Sequence, residues 1–174
     1  MRRLFAILAA AIATIILVGC STTAPTQPTS NDDVDAGYVS GDGSVRQWEP
    51  DERGDPVELA GVSMEDEDLD ITLWRGDVGV LNFWYAECPP CRKEAPDLVA
   101  LAEEFDQQAH FMGVNHINEP ETALAFQRRF EIPYPTLYDK DAAGVAALQS
   151  YVALQAMPST VVLDQQGRVA ARIL

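Results

Sequence analysis

Trp84-Tyr85-Ala86-Glu87-Cys88-Pro89-Pro90-Cys91-Arg92-Lys93-Glu94-Ala95-Pro96 is the stretch around which the chain is organised. The run before it, Val78-Gly79-Val80-Leu81-Asn82-Phe83-Trp84, is short, apolar and β-branched at two positions, which suits a strand covered on both faces. After it, Ala95, Leu98, Val99, Leu101, Ala102 and Phe105 recur at helical spacing. Cys88 therefore falls where a buried strand hands over to a helix N-terminus. Unpaired backbone N–H groups and the positive end of the helix dipole stabilise a thiolate there, and the thiolate is the nucleophile of disulfide exchange. Cys88 is expected to exchange first and Cys91, one turn inside the helix, to resolve the mixed disulfide. The chain reads as a redox protein.

The residues between and beside the cysteines refine this. With Cys88 as the cap, Pro89 and Pro90 take the first two helical positions, where a missing N–H leaves no intrahelical bond unmade. Both remove donors that could have faced the sulfur, and Glu87 adds a negative charge beside it. The Cys88 thiolate is thus expected to be only modestly stabilised.

The pattern Trp84-x-Ala86-x-Cys88-Pro89-Pro90-Cys91-x-x-Glu94-x-Pro96 resembles the active-site stretch of the TlpA/ResA-like thiol:disulfide oxidoreductases, the membrane-tethered bacterial branch of the thioredoxin superfamily. The resemblance covers roughly residues 56 to 174. It implies an α/β thioredoxin-like fold: a central mixed sheet flanked by helices, with an N-terminal hairpin and an inserted helix and strand that residues 116 to 139 could supply. It implies that Trp84 packs on the active-site loop beside the substrate, and that an acid at Glu94 exchanges a proton with Cys91. An exposed glutamate beside Arg92 and Lys93 is the plainer reading of Glu94. Asn82 stands where thioredoxin itself has a buried acid, which leaves proton transfer to Glu94 or water. From its own residues, Pro158 in Met157-Pro158-Ser159-Thr160-Val161 opens an apolar strand. The resemblance implies a cis bond there, opposite the dithiol, with Met157 as an adaptable apolar contact for substrate. It also implies a final helix over one sheet face. The sequence stops at Leu174 before any such helix, so that helix is expected to be missing and the domain truncated.

The start of the chain has its own pattern. Met1-Arg2-Arg3 is followed by an apolar stretch from Leu4 to Val18, too short for a comfortable membrane span, that ends in Leu17-Val18-Gly19-Cys20. This resembles a bacterial lipobox and implies a signal peptide over 1–20 with lipid on Cys20; an ordinary signal peptide with a chance cysteine is the alternative. Of the three cysteines, only Cys88 and Cys91 would then exchange disulfides, outside the reducing cytosol. Residues 21–55, rich in Ser, Thr, Pro, Gly and Asp, read as a disordered acidic tether, and 56–174 as one domain. Of the 27 acidic residues, 14 lie within 21–70 against Arg46 and Arg53, so much of the net charge of −15 sits there. No basic stripe exists, which argues against nucleic-acid binding.

Along the domain, 56–61 and 69–73 read as a hairpin and 110–115 as a second central strand. A helix is expected from Glu119 through Phe130, another from Ala142 to Tyr151, and a hairpin turn at Gln165-Gln166-Gly167-Arg168. One Cys-x-x-Cys pair cannot complete a tetrahedral zinc site from cysteine, His110 and His116 offer only a makeshift one, and both histidines read as structural or surface residues. A copper chaperone of related fold would space its cysteines by three residues, and a peroxiredoxin would place threonine or serine where Tyr85 stands. No cofactor or metal is called for: the Cys88–Cys91 dithiol carries the electrons. The expected function is an extracytoplasmic, lipid-anchored, monomeric oxidoreductase that reduces protein disulfides, such as those of apocytochrome c, with electrons from a membrane thiol carrier. The alternatives are an oxidase that introduces disulfides and a binding module without turnover.

Overall fold

The computed structural model describes residues 43–153 and 156–174. The leader, Cys20 and most of the acidic tether lie outside the described residues. The central sheet has six strands: β1 (Val45–Gln47), β4 (Val78–Phe83), β5 (Ala109–Asn115), β6 (Thr136–Tyr138), β7 (Ser159–Leu163) and β8 (Val169–Ile173), in the order β1-β8-β7-β4-β5-β6. β4, β5 and β6 run parallel, and β7, β8 and β1 continue the sheet in antiparallel pairs. Parallel neighbours need long crossovers. Helix α1 (Pro89–Glu104) joins β4 to β5, and α2 (Pro120–Phe130) joins β5 to β6.

The β4 run is apolar because the strand is central, with β5 on one side and β7 on the other. Leu81 and Phe83 are 0% exposed. α1 buries Cys91, Ala95, Leu98 and Ala102 along one face, and Pro96 lies inside it, as the sequence placed it. The β7–β8 turn forms at the expected residues, with Gly167 at φ 77°, where a side chain would be strained.

Three expectations shift. First, the chain joins the sheet at Val45, within the expected tether, because β1 pairs with β8 in the register Val45 to Ile173. Arg53 then ties the following segment down, donating from Nη1 to Asp164 Oδ2 at 2.9 Å. Second, the N-terminal hairpin is real but shorter, β2 (Ala60–Val62) against β3 (Asp68–Asp70), and Ile71–Trp74 is a 3-10 turn rather than strand. Asp70 explains that: its side chain accepts from the Thr72 N–H at 2.8 Å and caps the turn. Third, the helix expected over Ala142–Tyr151 is α3 (Ala143–Ala147) alone. Asp139 accepts from the N–H groups of Gly144 and Val145 in its first turn, and tighter bonds such as Leu148 N–H to Val145 C=O end it early. Between α1 and the sheet lies an apolar cleft of about 430 Å³ lined by residues such as Val80, Leu98, Phe105, Phe111 and Val162.

Gly113 of β5 shows how tightly the sheet is packed under the active-site loop. A Cβ there would lie 2.5 Å from Trp84 Nε1 and 2.5 Å from Thr136 Oγ1. Thr136 is its register partner on β6, so neither neighbour can withdraw without disturbing the core. Gly113→Ala is expected to cost about 2 kcal/mol, read as a lower urea midpoint with an unchanged slope.

Candidate active site

β4 ends at Phe83, and Trp84–Glu87 carries the chain from the sheet to α1. Cys88 caps that helix with extended backbone (φ −69°, ψ 110°), and Pro89 and Pro90 occupy the positions that follow. The Cys91 N–H donates to Cys88 Sγ at 3.2 Å. The two prolines leave it as the first backbone donor that can reach the sulfur. Cys88 and Cys91 are joined as a disulfide, their Cα atoms 5.3 Å apart. The disulfide is closed in: Cys88 is 0% exposed and Cys91 2%.

Three of the predicted site residues surround it. Trp84 is buried, with its ring stacked on Phe126 at 4.3 Å between centroids. The Met157–Pro158 bond is cis. Ser159 pairs with Phe83 across the sheet, which sets that proline beside the turn leading to the dithiol. Met157 is 2% exposed and shares one apolar cluster with Trp84, Cys88 and Cys91. The Met157 side chain is therefore part of the buried core in this oxidised form. With Cys88 itself 0% exposed, a client reaches its sulfur only once the surroundings of the disulfide open.

Glu94 lies one helical turn after Cys91, on the same face. Its Oε1 accepts from Asn82 Nδ2 at 2.8 Å, and the same nitrogen donates to Thr160 Oγ1 at 3.1 Å. Asn82, 5% exposed, points its amide at the acid instead of carrying a charge of its own. Burial pushes the Glu94 carboxyl up to about 7; Asn82's hydrogen bond holds the rise back and the Asp97 charge adds to it. The negative charge of Glu94 in turn adds to the burial that raises the Tyr134 hydroxyl. Glu94 also borders a groove of about 220 Å³ with Pro90, Lys93, Asp97 and Pro158, so the carboxyl connects the buried helix face to the surface. This is not the plain exposed glutamate that the charges of Arg92 and Lys93 suggested.

Sequence reasoning missed the amide pair behind the loop. Asn118 Oδ1 accepts from the Ala86 N–H at 2.7 Å, Asn118 Nδ2 donates to Glu87 Oε2 at 2.8 Å, and Asn115 Nδ2 donates to Asn118 Oδ1 at 3.0 Å. Asn115 Oδ1 accepts from the N–H groups of Ile117 and Asn118 and closes the turn that presents Asn118. An Asn-x-x-Asn spacing at a strand end was the available signal, since asparagine favours such turns. The clasp holds Glu87, the residue just before Cys88.

Neither histidine joins the dithiol. His110 stacks on Trp74 at 5.2 Å and meets Asp77 at 3.2 Å, and burial lowers the His116 pKa against the opposing charge of Asp139. Among the described residues no group of His, Cys, Asp and Glu could hold a metal ion, and no helix is long and apolar enough to cross a membrane.

Residues 54–172 match the AhpC/TSA family. The chain belongs to that family. HelX, a thiol:disulfide interchange protein of Rhodobacter capsulatus, is 32% identical over 79% of this chain and 80% of its own length. The thiol-disulfide oxidoreductase ResA of Halalkalibacterium halodurans is 29% identical over 61% of this chain, a match that spans 58% of ResA. Among solved structures, a secreted thiol-disulfide isomerase of Corynebacterium glutamicum superposes with a TM-score of 0.68 at 28% identity, over 78% of this chain and 86% of that one. The thioredoxin-like fold expected from the motif is therefore present. With Cys88 and Cys91 at disulfide distance, this AhpC/TSA member is of the thiol:disulfide oxidoreductase type.

Proposed function

We propose that the protein is a membrane-anchored, extracytoplasmic oxidoreductase that reduces the disulfides of exported proteins. One arrangement supports this above all: the Cys88–Cys91 disulfide at a helix N-terminus, beside a cis Met157–Pro158 bond and one turn from a half-buried acid. In the reduced protein the Cys88 thiolate attacks a client disulfide, forming a mixed disulfide and releasing one client thiolate. Cys91 then loses its proton to the Glu94 carboxylate and attacks Cys88 Sγ. That step closes the Cys88–Cys91 disulfide and releases the second client sulfur, so two electrons pass to the client. Met157, Pro158 and Trp84 border the client's path. A membrane thiol carrier restores the dithiol, and by resemblance apocytochrome c is among the clients.

The leader supports the anchor: Leu17-Val18-Gly19-Cys20 has the spacing of a lipidation site, and the acidic residues after it hold the domain off anionic headgroups. The full chain expressed in bacteria is expected to incorporate labelled palmitate and to sediment with membranes, and Cys20→Ala to lose the label and enter the soluble fraction. Label retained in Cys20→Ala would contradict the anchor. The exchange itself is tested by mixing reduced protein with a disulfide-bonded peptide and counting peptide thiols. Two thiols per protein are expected, and none would contradict the reading. The burial of Cys88 favours a second reading, a binding module without turnover, and that null result is what it predicts.

A further inference from the structure

The chain carries a net charge of −15, yet beside its dithiol it presents cations. Between the active-site loop and α2 lies a groove of about 480 Å³ whose walls include Ala86, Glu87, Arg92, Phe126 and Arg129. Two of its wall residues are close chain neighbours of Cys88. Ala86 and Glu87 immediately precede that residue, and the Arg92 N–H donates to the Cys88 C=O at 3.1 Å.

Several basic side chains of the domain are already engaged away from this groove. Arg53 and Arg168 are bound to Asp164, Lys140 to Glu119, and Arg75 and Arg172 to backbone carbonyls. Arg92 is held in place rather than neutralised: Nη1 donates to the Ala86 C=O at 3.1 Å and the guanidinium carbon sits 5.4 Å from the Phe130 ring centroid. Its remaining N–H groups are left for a ligand. Arg129, exposed in the last turn of α2, has no ion pair or hydrogen bond among the described residues. A helix C-terminus favours a cation there, but it does not explain why Arg92, from another helix, lines the same groove. The carboxylate on this wall, Glu87, is already engaged by Asn118 Nδ2. Two arginines against one tied carboxylate leave a positive groove with an apolar floor at Phe126 and Ala125.

We propose that this groove receives a carboxylate side chain of the client close to the cysteine under attack, so that the protein selects disulfides in acidic segments. A planar carboxylate fits guanidinium donors better than any other side chain, and the apolar floor lowers the local dielectric. The inference rests on the proposed dithiol exchange.

It is tested with the full reduced protein and two disulfide-bridged peptides that differ only in carrying Glu or Lys on both sides of the cysteine. An uncharged small disulfide, run with the unaltered protein, reports whether the dithiol exchanges at all. The Glu peptide is expected to react about fivefold to tenfold faster than the Lys peptide. The ratio should collapse at roughly 0.5 M salt. Arg129→Glu should invert the ratio, and Arg129→Gln, which keeps the helix and removes only the charge, should bring it near unity. Equal rates for both peptides, or a preference that survives Arg129→Glu, overturn the groove assignment while the small disulfide still reacts. If the small disulfide also fails to react, the exchange reading falls and this inference with it.

Discussion

Cys91→Ser is expected to trap the protein on its clients. Cys88 still attacks a disulfide, but nothing one turn away can displace the client, so a covalent adduct accumulates that dithiothreitol releases. Cys88→Ser, which removes the first nucleophile, should form no adduct. Both variants should lose turnover by roughly 10³-fold or more, since the two sulfurs act as a unit. Non-reducing gels and mass spectrometry of the adduct check this. An adduct on Cys88→Ser and none on Cys91→Ser would reverse the assigned order, which rests on Cys88 being the helix cap and Cys91 lying inside α1.

Glu94→Gln should slow release of the mixed disulfide by about 10²-fold, the usual weight of a positioned acid or base. In the unaltered protein this step should accelerate as pH rises through about 7, where the Glu94 carboxyl ionises and can take the Cys91 proton. The variant should lose that inflection. The same residue sets a sign for stability. Its folded pKa, about 7, lies above the ordinary value of 4.5, so the stability it contributes is present in full below 4.5 and lost as pH rises to about 7. Over that window the unaltered protein should lose about 3 kcal/mol that Glu94→Gln does not, measured by urea unfolding at each pH. The groups that bear on this titration are Asn82, Asp97 and Tyr134, with Lys93 on the bordering groove. A pH profile unchanged by Glu94→Gln would remove the acid from the mechanism.

The parts of the site that follow from local rules were legible in the chain. Proline at the first helical positions, an apolar strand before them and a cysteine at the cap are consequences of neighbours, and β4, Cys88 and α1 lie as read. The cis bond at Pro158 required the family resemblance, because a proline at a strand start is also compatible with a trans bond. Long-range partners were not legible. Nothing local says that Asn82 reaches Glu94, 12 residues on, or that Asn118 reaches back to Ala86, because register between strands sets both contacts. Short, exposed β1 escaped notice for the same reason: Val45-Arg46-Gln47 has no apolar pattern and is a strand only because β8 offers it an edge. Burial of Met157 and Cys88 is likewise a property of the assembled core.

The proposed reductase role requires a dithiol built to give electrons. Few donors reach Cys88, Glu87 adds charge next to it, and the pair sits buried as a disulfide. A poorly stabilised thiolate makes the disulfide comparatively favourable and lowers the potential. The direct measurement is the reduction potential of the Cys88–Cys91 couple, read from equilibration in glutathione buffers with thiol trapping. A potential of about −250 mV or below is expected of a reductase; a value near −120 mV, in the range of dedicated oxidants, would overturn that role.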